Sequence, residues 1–345
     1  MTKPLSKARC VVVGAPGYAG AELCRLLINH PHAEIVGLFG SAARADADQS
    51  IADIFPRFRA RLHLPVAAAD PAAVIALRPD AVFLCTPHEA SVNLAAALLD
   101  AGLRVFDLSA AFRLRDPALY PAHYGFTHEH PHLLETAVYG LVELHRQRLP
   151  QARLVAVPGC YPTCAILPLA PLVRAGALRP GTNPVINAIS GISGAGRAAK
   201  TPNLFCEVGL RPYGVLEHRH QPEISLHAGV EVDFVPHVAP LCRGMVCTTH
   251  VHLAQGWNVD RARAHLAGVY AREPFIRLLP RGLWPDSLAV ERTNFCDIAL
   301  TGNDDRGRLV LCSAIDNLTK GAAGQALQCM NVTLGFPETT ALEVL

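Results

Sequence analysis

Cys10–Val13 followed by Gly14-Ala15-Pro16-Gly17-Tyr18-Ala19-Gly20 decides how this chain is read. A short β-branched run enters a glycine-rich turn, and a segment with Leu23, Leu26 and Leu27 on one helical face follows directly. Strand, glycine turn and helix in that order form the opening of a dinucleotide-binding unit. The glycines allow a tight turn, let a pyrophosphate approach the backbone, and let the helix sit close to the sheet with its first amides facing the phosphates. Gly14, Gly17, Tyr18, Ala19 and Gly20 are therefore the candidate cofactor contacts. The spacing is G-x-x-G-x-x-G, so the plainer alternative is an ordinary strand-to-helix turn; the context favours the dinucleotide.

Working outward, Glu34–Leu38, Ala81–Cys85 and Arg104–Asp107 read as strands, and Ala19–Ile28 and Glu89–Leu99 as helices. This alternation implies a parallel sheet with crossover helices. Gly102 falls where a C-terminal cap belongs, and Pro31 closely follows the first helix. Residues between Ser41 and Asp80 read as a long, decorated connection. No acid follows the second strand to meet a ribose hydroxyl; Ser41 and Arg44 stand there instead and suit the 2′-phosphate of NADP. The plainer reading of Arg44 is a solvated loop charge. Thr86 and Pro87, at the end of the third strand, fall where such sheets line the cofactor crevice.

The chain has 345 residues, 50% hydrophobic and 17% charged, a length that suits two domains. Lys plus Arg total 31 against 29 for Asp plus Glu, a net charge of +2 with no block of like charge. Neither nucleic acid nor a membrane surface is the expected partner. No apolar stretch approaches the roughly 18–20 residues that span a bilayer, and Cys10–Val13 is too short for a signal-peptide core. A soluble, cytoplasmic protein is expected. Eleven cysteines scattered from Cys10 to Cys329 fit a reducing compartment better than a disulfide framework.

From about Val185 the texture changes to strands at Val230–Val235, Met245–Leu253 and Arg308–Ile315, with an amphipathic helix at Asp260–Arg272. That is α+β with a mostly antiparallel sheet. Lys320–Leu334 regains helical spacing, and its Gly321 and Gly324 imply close packing against a neighbour.

Between the two textures, Leu154–Val157 runs as a strand into Pro158-Gly159-Cys160-Tyr161-Pro162-Thr163-Cys164, with helical spacing beyond. This puts Cys160 near a helix N-terminus, where the dipole and unpaired amides favour the nucleophilic thiolate. The other cysteines read as buried small hydrophobes, Cys164 included. A base for the thiol is offered by His218-Arg219-His220-Gln221-Pro222-Glu223; if this piece is extended, the two histidines face opposite ways and only one reaches the thiol. His128, His130 and His132 lack metal-ligand spacing and read as a polar surface loop. No metal is expected.

With these pieces in hand, the sequence resembles the N-acetyl-gamma-glutamyl-phosphate reductase family, within the aspartate-semialdehyde and glyceraldehyde-3-phosphate dehydrogenase superfamily. GAPGYAG at Gly14–Gly20, DLSAAFRL at Asp107–Leu114, PGCYPT at Pro158–Thr163, SGISGAGR at Ser190–Arg197, HRHQPEI at His218–Ile224 and DNLTKGAAGQALQ at Asp316–Gln328 carry it, over essentially the whole chain. The resemblance implies a Rossmann-type NADP-binding domain (1–157 plus 316–345) with an inserted α+β catalytic and oligomerisation domain (158–315). It implies NADPH-dependent reduction of N-acetyl-L-glutamyl 5-phosphate to the 5-semialdehyde with release of phosphate, a step of arginine biosynthesis. Cys160 would form a thioester, with His220 favoured over His218 as base. Arg113, Ser190, Arg197 and Glu223 would meet substrate and phosphate. Ser193, Gly194 and Asn317 would meet the cofactor, and the chain would form a homo-oligomer, a tetramer or a dimer, through the inserted sheet.

Three positions depart from the family pattern: Pro16 and Ala111 replace a serine and an aspartate, and Cys164 replaces a small residue. Pro16 removes an N–H from the turn, and Ala111 leaves the orientation of Arg113 open. Other acyl-phosphate reductases, acting on aminoadipyl or aspartyl phosphate, share these motifs. A different class, a non-catalytic NADP-binding sensor switching through Cys160 and Cys164, would predict no turnover on any semialdehyde.

Overall fold

A computed structural model describes residues 7–41, 43 and 49–342. By internal contacts the chain divides into two units, one running to Pro158 and resuming at Ala322, the other Gly159–Gly321.

The first unit is built on seven strands: β1 (Ala8–Val13), β2 (Ala33–Gly40), β3 (Val66–Ala68), β4 (Ala81–Leu84), β5 (Val105–Asp107), β6 (Val138–Tyr139) and β7 (Leu154–Ala156). Their order is β3-β2-β1-β4-β5-β7-β6, and every neighbouring pair is parallel. Both faces of such a sheet are covered, which is why its central strands are apolar through most of their length: Val11, Val12, Val13, Val82, Phe83 and Leu84 have no exposed surface. The Ser41–Asp80 connection hides one of these strands, β3, whose three residues are too few for any period to show. Gly102 does close the helix His88–Asp100, at φ 86. The helix Gly324–Leu334 returns to this unit: Gln325 Nε2 donates to the Gly140 carbonyl at 2.7 Å, and His30 Nε2 meets Asn331 Oδ1 at 3.0 Å.

The second unit also has seven strands: β8 (Val185–Gly191), β9 (Arg211–Pro212), β10 (Asp233–Ala239), β11 (Met245–His252), β12 (Ile276–Leu278), β13 (Cys296–Asn303) and β14 (Arg308–Ile315). The order is β12-β13-β14-β11-β8-β10-β9. β12–β13 and β8–β10 pair in parallel and the other neighbours antiparallel, so the sheet is mixed with antiparallel pairs in the majority. One face, with Ile186, Ala188, Cys247, Val251, Leu309 and Leu311, is buried, whereas Val185 and Ile189 on the other are 39% exposed.

The helix Cys160–Arg174 packs on β11 and β14. It contains Pro168 and Pro171, which lack the N–H that would bond the carbonyls of Cys164 and Leu167 four residues back. Both carbonyls are met from outside. Ser313 Oγ donates to Cys164 O at 2.7 Å, and the Tyr270 hydroxyl donates to Leu167 O. A sequence that would break an isolated helix is thus continuous here, because its neighbours restore the lost bonds.

Asp316–Gly321, expected with the dinucleotide-binding unit, lies in the second unit. Arg243 forms an ion pair with Asp316, and Gly244 N donates to Asn317 Oδ1 at 2.9 Å. The expected helix Lys320–Leu334 begins with a π-helical turn, Thr319–Ala323, before the α-helix.

Candidate active site

Two glycine-led helix starts organise the chemistry-bearing residues. The first follows β1. Gly14 has φ +89, and a Cβ on it would lie 2.2 Å from the Cys85 carbonyl oxygen; on Gly20, a Cβ would lie 2.3 Å from Gly14 O. Gly14 N and Ala15 N both donate to Phe39 O, and Gly17 N to Gly14 O, which winds the turn tightly. Gly17 caps the helix Tyr18–Leu27 with no side-chain bond and no acid in the first turn. No acid in the helix's own first turn offsets its positive end, which suits a dinucleotide pyrophosphate. Tyr18 and Ala19 are its first two residues.

Nearby strand ends hold the other cofactor candidates. Thr86 Oγ1 is 2.7 Å from Ser91 Oγ, and Pro87 precedes the helix His88–Asp100. Ser41 is exposed and its Oγ accepts from Ala43 N at 3.2 Å; Arg44 lies outside the described residues.

Arg113 is buried in the first unit. Its Nε donates to Val157 O and its Nη2 to Leu108 O, both at 2.8 Å. Main-chain carbonyls thus orient the guanidinium where Ala111 has no side-chain acceptor. Asp107, fully buried, accepts from Ser109 Oγ at 2.7 Å, yet burial pushes its carboxyl above the usual range. His128 is no surface-loop residue. It is buried against Phe112, Tyr120 and Phe126, its Nε2 lies 2.9 Å from Ala111 O, and burial lowers its pKa.

The second helix start belongs to the second unit. Gly159 caps the helix Cys160–Arg174 without a side-chain bond. Its N–H donates to Glu223 Oε1 at 2.9 Å, and Thr163 N and Oγ1 both return to its carbonyl. Cys160 is half-buried and lines a cavity of about 590 Å³ with Tyr161, Ser190, Gly194, His218 and His220.

The two histidines are not on opposite faces of an extended segment. They lie in a turn that leads into the helix Gln221–Ala228, with ring centroids 4.8 Å apart, and both border the cavity. Their surroundings differ. His218 Nδ1 accepts from His220 N at 3.1 Å, and its ring sits among Tyr161, Tyr213 and Phe234. Burial, helped by the Arg219 charge, pushes its pKa down to about 4, so it is a neutral prop for the turn. His220 is the N-cap of that helix and is only 7% exposed.

Other candidates separate by position. Ser190 and Gly194 line the cavity; Ser193 and Asn317 are buried beside it, with Asn317 Nδ2 donating to Ser193 Oγ at 2.9 Å. Arg197 is exposed and is not a lining residue. Glu223, expected at the substrate, is fully buried and holds Gly159 instead. The following π-turn is capped by Asp316, whose Oδ1 accepts from Leu318 N and Thr319 N. Cys164 is buried, with Sγ 3.3 Å from Ser313 Oγ, whereas Cys206 and Cys242 are exposed and depart from the expectation of buried thiols.

The cavity adds residues that sequence reasoning passed over. Lys200, Arg211 and Arg219 line it with Tyr213, whose hydroxyl donates to Tyr161, which donates to His237 O. Arg219 stood inside a quoted motif; Lys200 and Arg211 lie in an aperiodic stretch with no pattern to flag them. Three cations around a thiol and an imidazole make a site for an anionic carbonyl compound.

Among the described residues no cluster of three or more His, Cys, Asp or Glu is placed to hold a metal ion, and no helix is long and apolar enough to cross a membrane.

Residues 9–152 match the family model "Semialdehyde dehydrogenase, NAD binding domain", and 160–317 match "Semialdehyde dehydrogenase, dimerisation domain". Among solved structures, aspartate semialdehyde dehydrogenase II from Vibrio cholerae aligns with TM-score 0.72 over 96% of this chain and 99% of that one, at 14% identity. The Candida albicans aspartate semialdehyde dehydrogenase solved with NADP aligns with TM-score 0.63 over 95% and 98%, also at 14%. At that identity the likeness is one of fold. Among sequences, proteins named N-acetyl-gamma-glutamyl-phosphate reductase are much nearer. That of Tolumonas auensis is 46% identical over 96% of this chain and 98% of its own, and that of Yersinia pestis 47% over 96% and 98%. Identity at that level along nearly the full length of both partners places the chain in the N-acetyl-gamma-glutamyl-phosphate reductase family of semialdehyde dehydrogenases.

Proposed function

We propose that the protein reduces N-acetyl-L-glutamyl 5-phosphate to N-acetyl-L-glutamate 5-semialdehyde with NADPH, releasing phosphate. The observation that carries this reading is the grouping of Cys160, at a glycine-capped helix start, with His220 and three cationic side chains around one cavity. A carboxylate resists hydride, whereas an acyl phosphate exchanges readily to a thioester that accepts it. The Cys160 thiolate attacks the acyl carbon, the bond to the phosphate oxygen breaks, and inorganic phosphate leaves. Gly14–Gly20 would hold the pyrophosphate of NADPH, Ser41 and Arg44 are the residues whose chemistry suits its 2′-phosphate, and the bound cofactor would supply the hydride. His220 takes the thiol proton as Cys160 becomes the attacking thiolate, and returns it to the departing sulfur as the thiohemiacetal oxyanion collapses to the aldehyde. Amides at the start of the Cys160 helix stabilise the oxyanion. Lys200, Arg211 and Arg219 neutralise the substrate's anionic groups.

His220 is taken as the acid–base residue because His218 already commits Nδ1 to the His220 backbone, and its lowered pKa leaves it poorly able to hold a proton for return to the sulfur. Copies of the chain associate through the open face of the mixed sheet, where Val185 and Ile189 remain exposed; the dimerisation-domain match supports this, and light scattering gives the copy number.

The test is phosphate-dependent reduction of NADP or NAD by N-acetyl-glutamate, aspartate and aminoadipate semialdehydes. The N-acetylated substrate with NADP should give the highest kcat/KM, and Cys160→Ser should abolish turnover while NADP still binds. Preference for another semialdehyde would move the substrate assignment. Full activity in Cys160→Ser would remove the thioester.

A further inference from the structure

Behind the cavity lies a buried ion pair that the chemistry above does not use. Arg243 approaches Asp316 side-on, with Nε 2.9 Å from Oδ2 and Nη2 3.0 Å from Oδ1, and its Nη2 also donates to Thr319 Oγ1 at 3.0 Å. Asp316 has no exposed surface. Its carboxylate also accepts from Arg292 N at 2.6 Å, Leu318 N at 2.8 Å and Thr319 N at 2.9 Å. One carboxylate thus joins the 241–244 loop, the Arg292 turn and the 318–321 turn.

Two of those segments border the surroundings of Cys160. The 241–244 loop bonds the cavity wall: Gly191 N donates to Gly244 O at 2.9 Å, Ile192 N to Leu241 O at 2.8 Å, and Ser193 N to Cys242 O at 3.3 Å. On the other side, Gly321 N donates to Asp316 O at 2.9 Å, and a Cβ added to Gly321 would stand 2.7 Å from Cys160 Cβ and 3.2 Å from its Cα. The glycine therefore marks a contact surface between this turn and the thiol-bearing residue. Gly321 has no left-handed φ, so that contact, and not backbone conformation, is what demands a glycine.

We propose that Arg243 and Asp316 are positioning residues for the reaction. They fix Gly321 against Cys160 and the 191–193 wall across from it, and so set where the thiol stands relative to the bound acyl group. The proposal rests on Cys160 being the nucleophile. A lysine at 243 keeps the charge but loses the two-pronged fork, so it loosens the junction without stranding a buried carboxylate.

The experiment uses the full-length protein and compares Arg243→Lys, Gly321→Ala and Cys160→Ser. Readouts are steady-state kinetics, NADPH affinity, thermal midpoint, and the rate of Cys160 carboxamidomethylation by iodoacetamide across pH 5–9. Displacing an attacking group by a fraction of an ångström is expected to lower kcat about tenfold in each of the first two variants. KM and NADPH affinity should stay within about twofold, and the alkylation pH profile should shift at temperatures well below the midpoint. A purely structural pair would lower the midpoint and leave kcat and the alkylation profile of the folded enzyme unchanged; that result overturns the proposal. If Arg243→Lys does not fold, Gly321→Ala decides alone, since it probes the same contact without touching the ion pair. Activity in Cys160→Ser would instead overturn the underlying assignment, so the two failures are told apart.

Discussion

The two helix starts, at Gly17 and at Gly159, are alike in sequence and opposite in support. Each follows a strand, each has glycine at the cap, and neither receives a side-chain capping bond from it. The first is wound largely by its own residues, Gly14–Gly20, with the Phe39 carbonyl and the Cys85 backbone packed against it. The second is held from a distance, by Glu223 on Gly159, Gly321 against Cys160, and Ser313 and Tyr270 on the helix body. A turn that receives a ligand's phosphates needs open amides. A turn that aims its own nucleophile needs a fixed backbone, and fixing it takes partners from far along the chain.

Substitutions can break this contrast. The largest effect should come from Gly14→Ala, which meets both the Cys85 carbonyl and a left-handed φ; a loss of about 3 kcal/mol or more in unfolding free energy is expected, together with collapse of NADPH affinity by fluorescence titration. Next is acid sensitivity at the second start. Since the folded His218 titrates at about 4 and the unfolded ring near 6.5, the unfolded chain binds the extra proton in between. Stability should therefore fall as pH drops from 6.5 toward 4, by at most about 3 kcal/mol before screening of its exposed edge is discounted. His218→Asn should flatten that slope in urea titrations; an unchanged slope would mean that another group carries it.

Glu223→Ala leaves the buried Gly159 N–H without its acceptor and should cost about 2 kcal/mol, with slower Cys160 alkylation, whereas Glu223→Gln keeps the acceptor and should recover most of both. Smallest is Ser313→Ala. Orphaning the Cys164 carbonyl should cost about 1 kcal/mol, seen as a lower thermal midpoint. If this variant lowered NADPH affinity as much as Gly14→Ala does, the contrast between a local and a remotely supported start would fail.

The same contrast explains what the sequence made legible. The glycine turn, the parallel alternation and the Cys160 helix start could be read because their determinants are adjacent in the chain. β14 was legible for the same reason, down to its limits at Arg308 and Ile315. What escaped depends on distant partners. Glu223 was expected at the substrate from the family resemblance, whereas its bond to Gly159 crosses 64 residues and leaves no local pattern. Asp316 was assigned to the wrong unit because its attachment to Arg243 crosses 73 residues. His128 looked solvated because the aromatic rings that enclose it come from 112, 120 and 126, with no period linking them. The alternation argument for His218 and His220 failed at its premise, since the segment turns where it was taken as extended.

Pro168 and Pro171, the two interior prolines of the Cys160 helix, carry a consequence for how the chain can evolve. Each leaves a carbonyl that accepts one particular hydroxyl, Ser313 for Cys164 and Tyr270 for Leu167, so the helix is indexed to its neighbours like a key with two cut notches. One residue inserted between Cys160 and Cys164 would leave both notches engaged and swing the thiol about 100° around the axis, away from the cavity. Length changes are forbidden in that one turn of helix even where composition is free.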